Sequence, residues 1–201
     1  MDREHCPFGD RSHEEICEYT IRGVEKLFLR GADVVILACN TASVHVLRLL
    51  QQEIYPDRHI LGVMIPWAEK VAEMQYKKIG VLATAATVRT RAYKERVNFL
   101  DDSIMVEEIG APHLVPLIEQ WFTVCDRIEG ELREYLGKFS ADIEALVLGC
   151  THYPLIRESI EKVWLELHPN WPTIAIIDPW YEAAKKFRTW LVRHFGDSDS
   201  W

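Results

Sequence analysis

The chain has 201 residues, enough for one large domain or two small ones, and its 48% hydrophobic content suits a soluble folded core. It carries 23 Lys+Arg against 31 Asp+Glu, a net charge of −8 without a basic stripe, which argues against nucleic acid as a partner. The opening Met1-Asp-Arg-Glu-His-Cys-Pro holds no apolar signal core, and no apolar run approaches the ~18 residues of a membrane span. The expected location is therefore cytoplasmic, with no membrane partner. Five cysteines (Cys6, Cys17, Cys39, Cys125, Cys150) form an odd set without a Cys-x-x-Cys pair, so reduced thiols are expected rather than a disulfide framework or a four-thiolate zinc site.

Along the chain, amphipathic helical stretches alternate with short apolar runs. A helix is expected over 13–30, stopped by Gly31, then a strand over 33–38 and a helix over 43–54. A strand at 59–64, a helix at 66–76, a strand at 78–84 and a helix at 88–99 follow. The remainder reads as strand 104–109, helix 113–137, strand 145–149, helix 155–167, strand 173–177 and helix 179–194. Pro66, Pro112 and Pro154 each fall near a helix start, where a missing N–H costs nothing. The tail from Gly196 to Trp201 reads as frayed. Apolar strands separated by helices imply an α/β fold with mainly parallel sheets covered on both faces.

Two stretches carry the same pattern. Asp33-Val-Val-Ile-Leu-Ala-Cys39-Asn-Thr-Ala-Ser43 and Glu144-Ala-Leu-Val-Leu-Gly-Cys150-Thr-His-Tyr-Pro154 are each an apolar strand that ends in a cysteine followed by small hydroxyl residues. That arrangement puts a thiol at the C-terminal edge of a parallel sheet, where α/β proteins bind ligands. The two turns suit two similar α/β units facing each other: 1–65 plus 178–201 as the first, and 66–177 as the second. A helix N-terminus lowers a thiol pKa and receives carboxylates, so Cys39 and Cys150 are candidate acid/base groups around an anionic substrate. Either cysteine alone could equally be a small buried hydrophobe. Asn40, Thr41 and Thr151 could donate hydrogen bonds, and His152 could partner the Cys150 thiol or donate a proton. Thr84 and Thr87, at another strand end, could bind a carboxylate or simply cap a helix. Pro7-Phe8-Gly9 reads as a tight turn, while Cys6, Cys17 and Cys125 lack the strand-end setting and read as structural.

Ala38-Cys-Asn-Thr-Ala-Ser43 and Gly149-Cys-Thr-His-Tyr-Pro-Leu155 resemble the two signature turns of the glutamate racemase family, within the cofactor-independent amino-acid racemases. Pro7-Phe8-Gly9, Ile79-Gly-Val-Leu-Ala-Thr84 with Thr87, Val115-Pro-Leu-Ile-Glu119 and Ile177-Asp178 fit further family segments. The resemblance implies two facing flavodoxin-like units and cofactor-independent racemisation of glutamate for peptidoglycan synthesis. In that scheme Cys39 acts on D-glutamate and Cys150 on L-glutamate, with His152 assisting Cys150. Pro7, Phe8 and Gly9 would form the pocket wall, and Asn40, Thr41, Thr84, Thr87 and Thr151 would hold the amino acid. No cofactor is implied, and a homodimer is left open.

The chain departs from the family pattern in places. The family's opening strand, ending Asp-Ser-Gly-Val-Gly-Gly, has no counterpart, so the first unit is expected to be truncated by about 35 residues, including a central strand of a flavodoxin-like order. Phe8 stands where the family has tyrosine, Trp67 and Ala86 where it has glycine, and Asp178-Pro-Trp where Asp-Ser-Gly is common. Rival readings are a racemase for aspartate or a hydantoin, a Cys–His hydrolase built on Cys150 and His152, and a non-catalytic dicarboxylate binder.

Overall fold

The computed structural model describes residues 4–120, 125–170 and 174–196. Ser12 opens the first helix, α1 (His13–Leu29): its hydroxyl accepts the Glu15 N–H at 3.2 Å while the Glu15 carboxylate accepts the Ser12 N–H at 3.0 Å, a reciprocal cap. Gly31, at φ +87°, turns the chain out of α1 through a conformation that a side chain would strain. Strand β1 (Val34–Leu37) then runs into α2 (Asn40–Leu49), which is prolonged by a wider helical turn over Leu50–Ile54. Strand β2 (His59–Gly62) lies parallel to β1, in register from Val34 opposite His59 to Leu37 opposite Gly62. Ile16, Val24, Val35, Val46, Leu50 and Ile60 fill the space between these layers.

The second sheet begins after α3 (Met64–Glu73), with β3 (Lys78–Ala83). Two short helices follow, α4 (Ala85–Arg89) and α5 (Ala92–Leu100), and then β4 (Met105–Gly110). Helices α6 (Leu114–Glu119) and α7 (Cys125–Leu136) lead to β5 (Ala145–Gly149). Helix α8 (Arg157–Leu167), β6 (Ala175–Ile177) and α9 (Pro179–Phe195) complete the order. The strands run parallel in the sequence β4-β3-β5-β6. Strands β3 and β5 are buried on both faces, which is why their residues read as unbroken apolar runs rather than alternating ones. On one face Trp67, Val71, Tyr93 and Val97 pack over Ile79, Val81 and Val147. On the other, Leu132, Leu136, Ile160 and Trp164 pack over Leu82, Leu146 and Leu148.

Helix α9 spans both sheets. Its Ala183 is buried, Lys186 meets Glu69 of α3 at 2.8 Å, and the rings of Trp190, His194 and Phe195 lie against His59 of β2.

Several boundaries differ from the sequence expectation for physical reasons. The expected helix 88–99 is two helices, because Arg91 takes a left-handed conformation at φ +57°. Strand 59–64 stops at Gly62, because Met64 already belongs to α3. Helix 43–54 starts at Asn40, which makes Cys39 its capping residue. The stretch 113–137 holds α6 and α7, with 121–124 outside the described residues. Residue 173 of the last expected strand, the side chain of Cys125 and the tail 197–201 also lie outside them.

Trp67 is fully buried and stacks on Tyr93 with ring centroids 4.6 Å apart. Trp67→Ala is expected to lower unfolding free energy by about 3–5 kcal/mol in urea titrations, and a loss under 1 kcal/mol would show that α3 does not brace the sheet.

Candidate active site

The C-terminal ends of β1, β3 and β5 converge on one cavity of ≈ 910 Å³. Strand β1 delivers Cys39, β3 delivers Thr84, and β5 delivers Cys150. Strand β5 can approach β3 closely because Gly149 has no side chain: a methyl there would come within 2.7 Å of Ala83 Cβ and 3.0 Å of the Leu82 carbonyl. Gly9 plays the same part in the first unit, since a Cβ on it would meet Thr84 Cβ at 2.9 Å. Only glycine lets the Pro7-Phe8-Gly9 turn lie against the strand end.

Of the residues expected from sequence, Pro7, Phe8, Gly9, Cys39, Asn40, Thr41, Thr84, Cys150, Thr151 and His152 all line this cavity. Thr87 stands one layer behind. The hydroxyls of Thr41, Thr84 and Thr87 form a closed triangle with sides of 2.9, 3.0 and 3.0 Å, and all three residues are buried. Thr84 also caps α4 by accepting the Thr87 N–H at 3.3 Å. Thr84 thus caps a helix and also lines the cavity. Asn40 is 1% exposed; its Oδ1 accepts the Tyr93 hydroxyl at 2.7 Å, while its Nδ2 has no protein partner among the described residues.

The two thiols sit in unequal surroundings. Cys39 is half-buried at the start of α2, and burial pushes its pKa up, against the N–H groups of Ala42 and Thr41 and the Thr41 hydroxyl. Cys150 is 7% exposed and its pKa is pushed up to about 12, chiefly by burial, with the charge of an ionised Cys39 acting in the same direction. The His152 N–H and the Thr151 hydroxyl oppose that rise. The sequence expectation that helix ends would lower both pKa values is thus overturned: a few N–H dipoles do not offset desolvation. Cys150 also does not head an α-helix, because a turn and a 3₁₀ segment (Tyr153–Ile156) separate it from α8.

His152 bridges Cys150 to a residue that sequence reasoning gave no role. Its Nδ1 lies 3.7 Å from Cys150 Sγ, and its Nε2 lies 2.5 Å from Glu119 Oε1 at the end of α6. Glu119 was visible only as the polar end of Val115-Pro-Leu-Ile-Glu119. Tyr93 was also missed; nothing local marks a helical tyrosine that reaches Asn40 across the chain. Burial pushes the Tyr93 hydroxyl far above its usual range, and negative charge on Cys150 or Cys39 would raise it further, so it remains a donor.

Two parallel sheets each present a thiol to one cavity, Cys39 half-buried and Cys150 buried. The sequence profile of the Asp/Glu/Hydantoin racemase family matches residues 4–186, and the chain belongs to that family of isomerases. It is 34% identical over 201 residues to a glutamate racemase of Desulforudis audaxviator, covering 99% of this chain and 71% of that protein. Among solved structures it is similar to a glutamate racemase isoform of Bacillus anthracis, with TM-score 0.86, 30% identity and coverage of 98% of this chain and 72% of that one. A glutamate racemase of Francisella tularensis in complex with D-glutamate matches at TM-score 0.86 and 29% identity, with the same coverage. Among the described residues no helix is long and apolar enough to cross a membrane.

Because both thiols hold their protons to higher pH than in the unfolded chain, the stability they contribute is complete below the unfolded thiol pKa. It drains away as pH rises toward the Cys150 value of about 12. Iodoacetamide labelling of Cys150, followed by mass spectrometry, is expected to be slow at pH 7 and to keep accelerating beyond pH 10. A plateau below pH 8 would contradict the assigned direction.

Proposed function

We propose that the protein interconverts L- and D-glutamate without a cofactor, using Cys39 and Cys150 as opposed acid and base. The observation that carries this reading is the delivery of both thiols into one cavity from two different sheets. Each can then face one side of an α-carbon.

The local geometry supports a sequence of proton steps. With Glu119 accepting from His152 Nε2–H, the Nδ1 lone pair is left to take the proton of the Cys150 thiol. The resulting imidazolium lies against a carboxylate, and the Cys150 thiolate removes the α-proton of L-glutamate. The Cys39 thiol delivers its proton to the opposite face, leaving D-glutamate, a Cys150 thiol, a Cys39 thiolate and the His152 imidazolium that still holds the proton first taken from Cys150. The reverse reaction or solvent exchange resets the pair. Charge on one thiol raises the pKa of the other, so the pair favours a single thiolate at a time. In this scheme Asn40 Nδ2 and the hydroxyls of Thr41 and Thr151, all from residues lining the cavity, hold the substrate and its carbanionic intermediate. Pro7, Phe8, Gly9 and Thr84 wall the pocket, with Thr87 fixing Thr84 from behind. D-glutamate of this origin would serve assembly of bacterial peptidoglycan.

The test is α-proton exchange of L- and D-glutamate in heavy water, followed by NMR, with aspartate and a hydantoin as comparison substrates. Preferential exchange of glutamate supports the assignment, and preferential exchange of aspartate or the hydantoin would replace it. Cys39→Ser and Cys150→Ser are each expected to reduce racemisation by at least about 10³-fold. Substantial turnover in either variant would sink the two-thiol scheme. Glu119→Gln is expected to lower kcat by about 10²-fold with little change in thermal midpoint, because it removes the charge that stabilises the His152 imidazolium. An unchanged rate would leave Glu119 outside the relay.

A further inference from the structure

The side chain of Tyr93 touches both cysteine turns. It projects from α5, and its hydroxyl donates at 2.7 Å to Oδ1 of Asn40, the residue that follows Cys39 at the start of α2. The tip of the same ring abuts the other turn. A Cβ on Gly149, the residue before Cys150, would come within 3.2 Å of the Tyr93 carbon that bears the hydroxyl. Trp67 stacks on the ring with centroids 4.6 Å apart and planes 24° apart, and both aromatic side chains are fully buried. Held by an indole on its face and by backbone at its tip, the hydroxyl has little room to swing away from Asn40.

That bond decides what Asn40 offers the cavity. An amide side chain has one acceptor end and one donor end. With Oδ1 tied to the Tyr93 hydroxyl, Nδ2 is the end left to other partners, and Asn40 is a lining residue of the cavity. Turned over, the amide would set Nδ2 against the hydroxyl and offer Oδ1, an acceptor, to the carboxylate of an amino acid. The hydroxyl holds the first arrangement only while it keeps its proton. Burial pushes its pKa well above the usual range, and negative charge on Cys150 or Cys39 acts in the same direction. Formation of either thiolate therefore tightens the grip of Tyr93 on its proton, and the amide stays oriented whichever thiol is ionised.

We propose that Tyr93 is a positioning residue that locks the side-chain amide of Asn40 with its donor end toward the substrate. This role presupposes the racemisation proposed above, in which Asn40 Nδ2 holds the amino acid. Tyr93 itself need not touch substrate; it acts from α5 through one hydrogen bond. A neutral donor suits the task, since a charged group at that point would compete with the substrate carboxylate or repel it.

The test compares the 201-residue chain with Tyr93→Phe, which keeps the ring and its stacking and removes only the hydroxyl. Isotope-labelled asparagine gives three side-chain amide signals by NMR, from Asn40, Asn98 and Asn170, and Asn40→Ala identifies the relevant one. The Asn40 amide is expected to be as rigid as the backbone in the parent chain and mobile in Tyr93→Phe, while an unchanged Asn98 signal reports an intact α5. With glutamate, Tyr93→Phe is expected to lower kcat/KM about tenfold or more. Added to Asn40→Ala it should cost no more than about twofold further, because both changes remove the same oriented donor. A merely structural part would make the two losses multiply. An Asn40 amide equally rigid in both chains, or losses that do multiply, would overturn the proposal. A parent chain that exchanges no α-proton of glutamate would instead remove the racemase reading, and the amide signals alone would then decide whether Tyr93 orders Asn40.

Discussion

The site depends on how closely β5 is held against β3. Their register sets Ala83 opposite Gly149, so Thr84 and Cys150 leave the sheet side by side. Gly149 makes the approach sterically feasible, and the buried apolar runs of the two strands hold it in place. The first unit is then docked on this edge by contacts that also recur at strand ends: Gly9 on Thr84 and Thr41 on Thr84 and Thr87. Gly149 thus sets the spacing within the second sheet, and Gly9 lets the Pro7-Phe8-Gly9 turn lie against its Thr84 end.

Burial holds both thiols in their protonated form. In the proposed racemisation a thiolate is the useful base, but desolvation works against forming it, and the amide dipoles around each cysteine offset only part of that penalty. The arrangement therefore keeps both groups protonated at rest and places an imidazole with its own carboxylate next to the more deeply buried thiol. Cys150 has the His152 imidazole 3.7 Å from its sulfur, and the His5 imidazole also lines the cavity.

Much of this was legible in the chain. Apolar runs ending in Cys39 and Cys150 located two strand ends correctly: β5 is buried on both faces and reads as an unbroken aliphatic block, and β1 is as apolar in sequence although Ile36 stays exposed. The pocket residues near those ends followed from proximity in sequence. Glu119 and Tyr93 did not, because each sits on a helix far along the chain from the turn residue it bonds, His152 and Asn40 respectively. The direction of the thiol pKa shifts was also illegible: sequence shows which dipoles flank a cysteine, not how much water is removed from it. The division of 88–99 into two helices turned on one left-handed arginine, for which no glycine or asparagine gave warning.

The hydrogen bonds that join the two units within the site are made by neutral groups: the Thr41–Thr84–Thr87 triangle and the Tyr93–Asn40 bond. Bonds of this kind carry no net charge for salt to screen and no proton to lose near neutrality. The seam between the sheets should thus keep its spacing across wide ranges of ionic strength and pH, even where surface ion pairs loosen. An entering amino acid would bring formal charges into a layer stitched by neutral groups, so the seam would register ligand occupancy as an electrostatic event and ignore the salt outside.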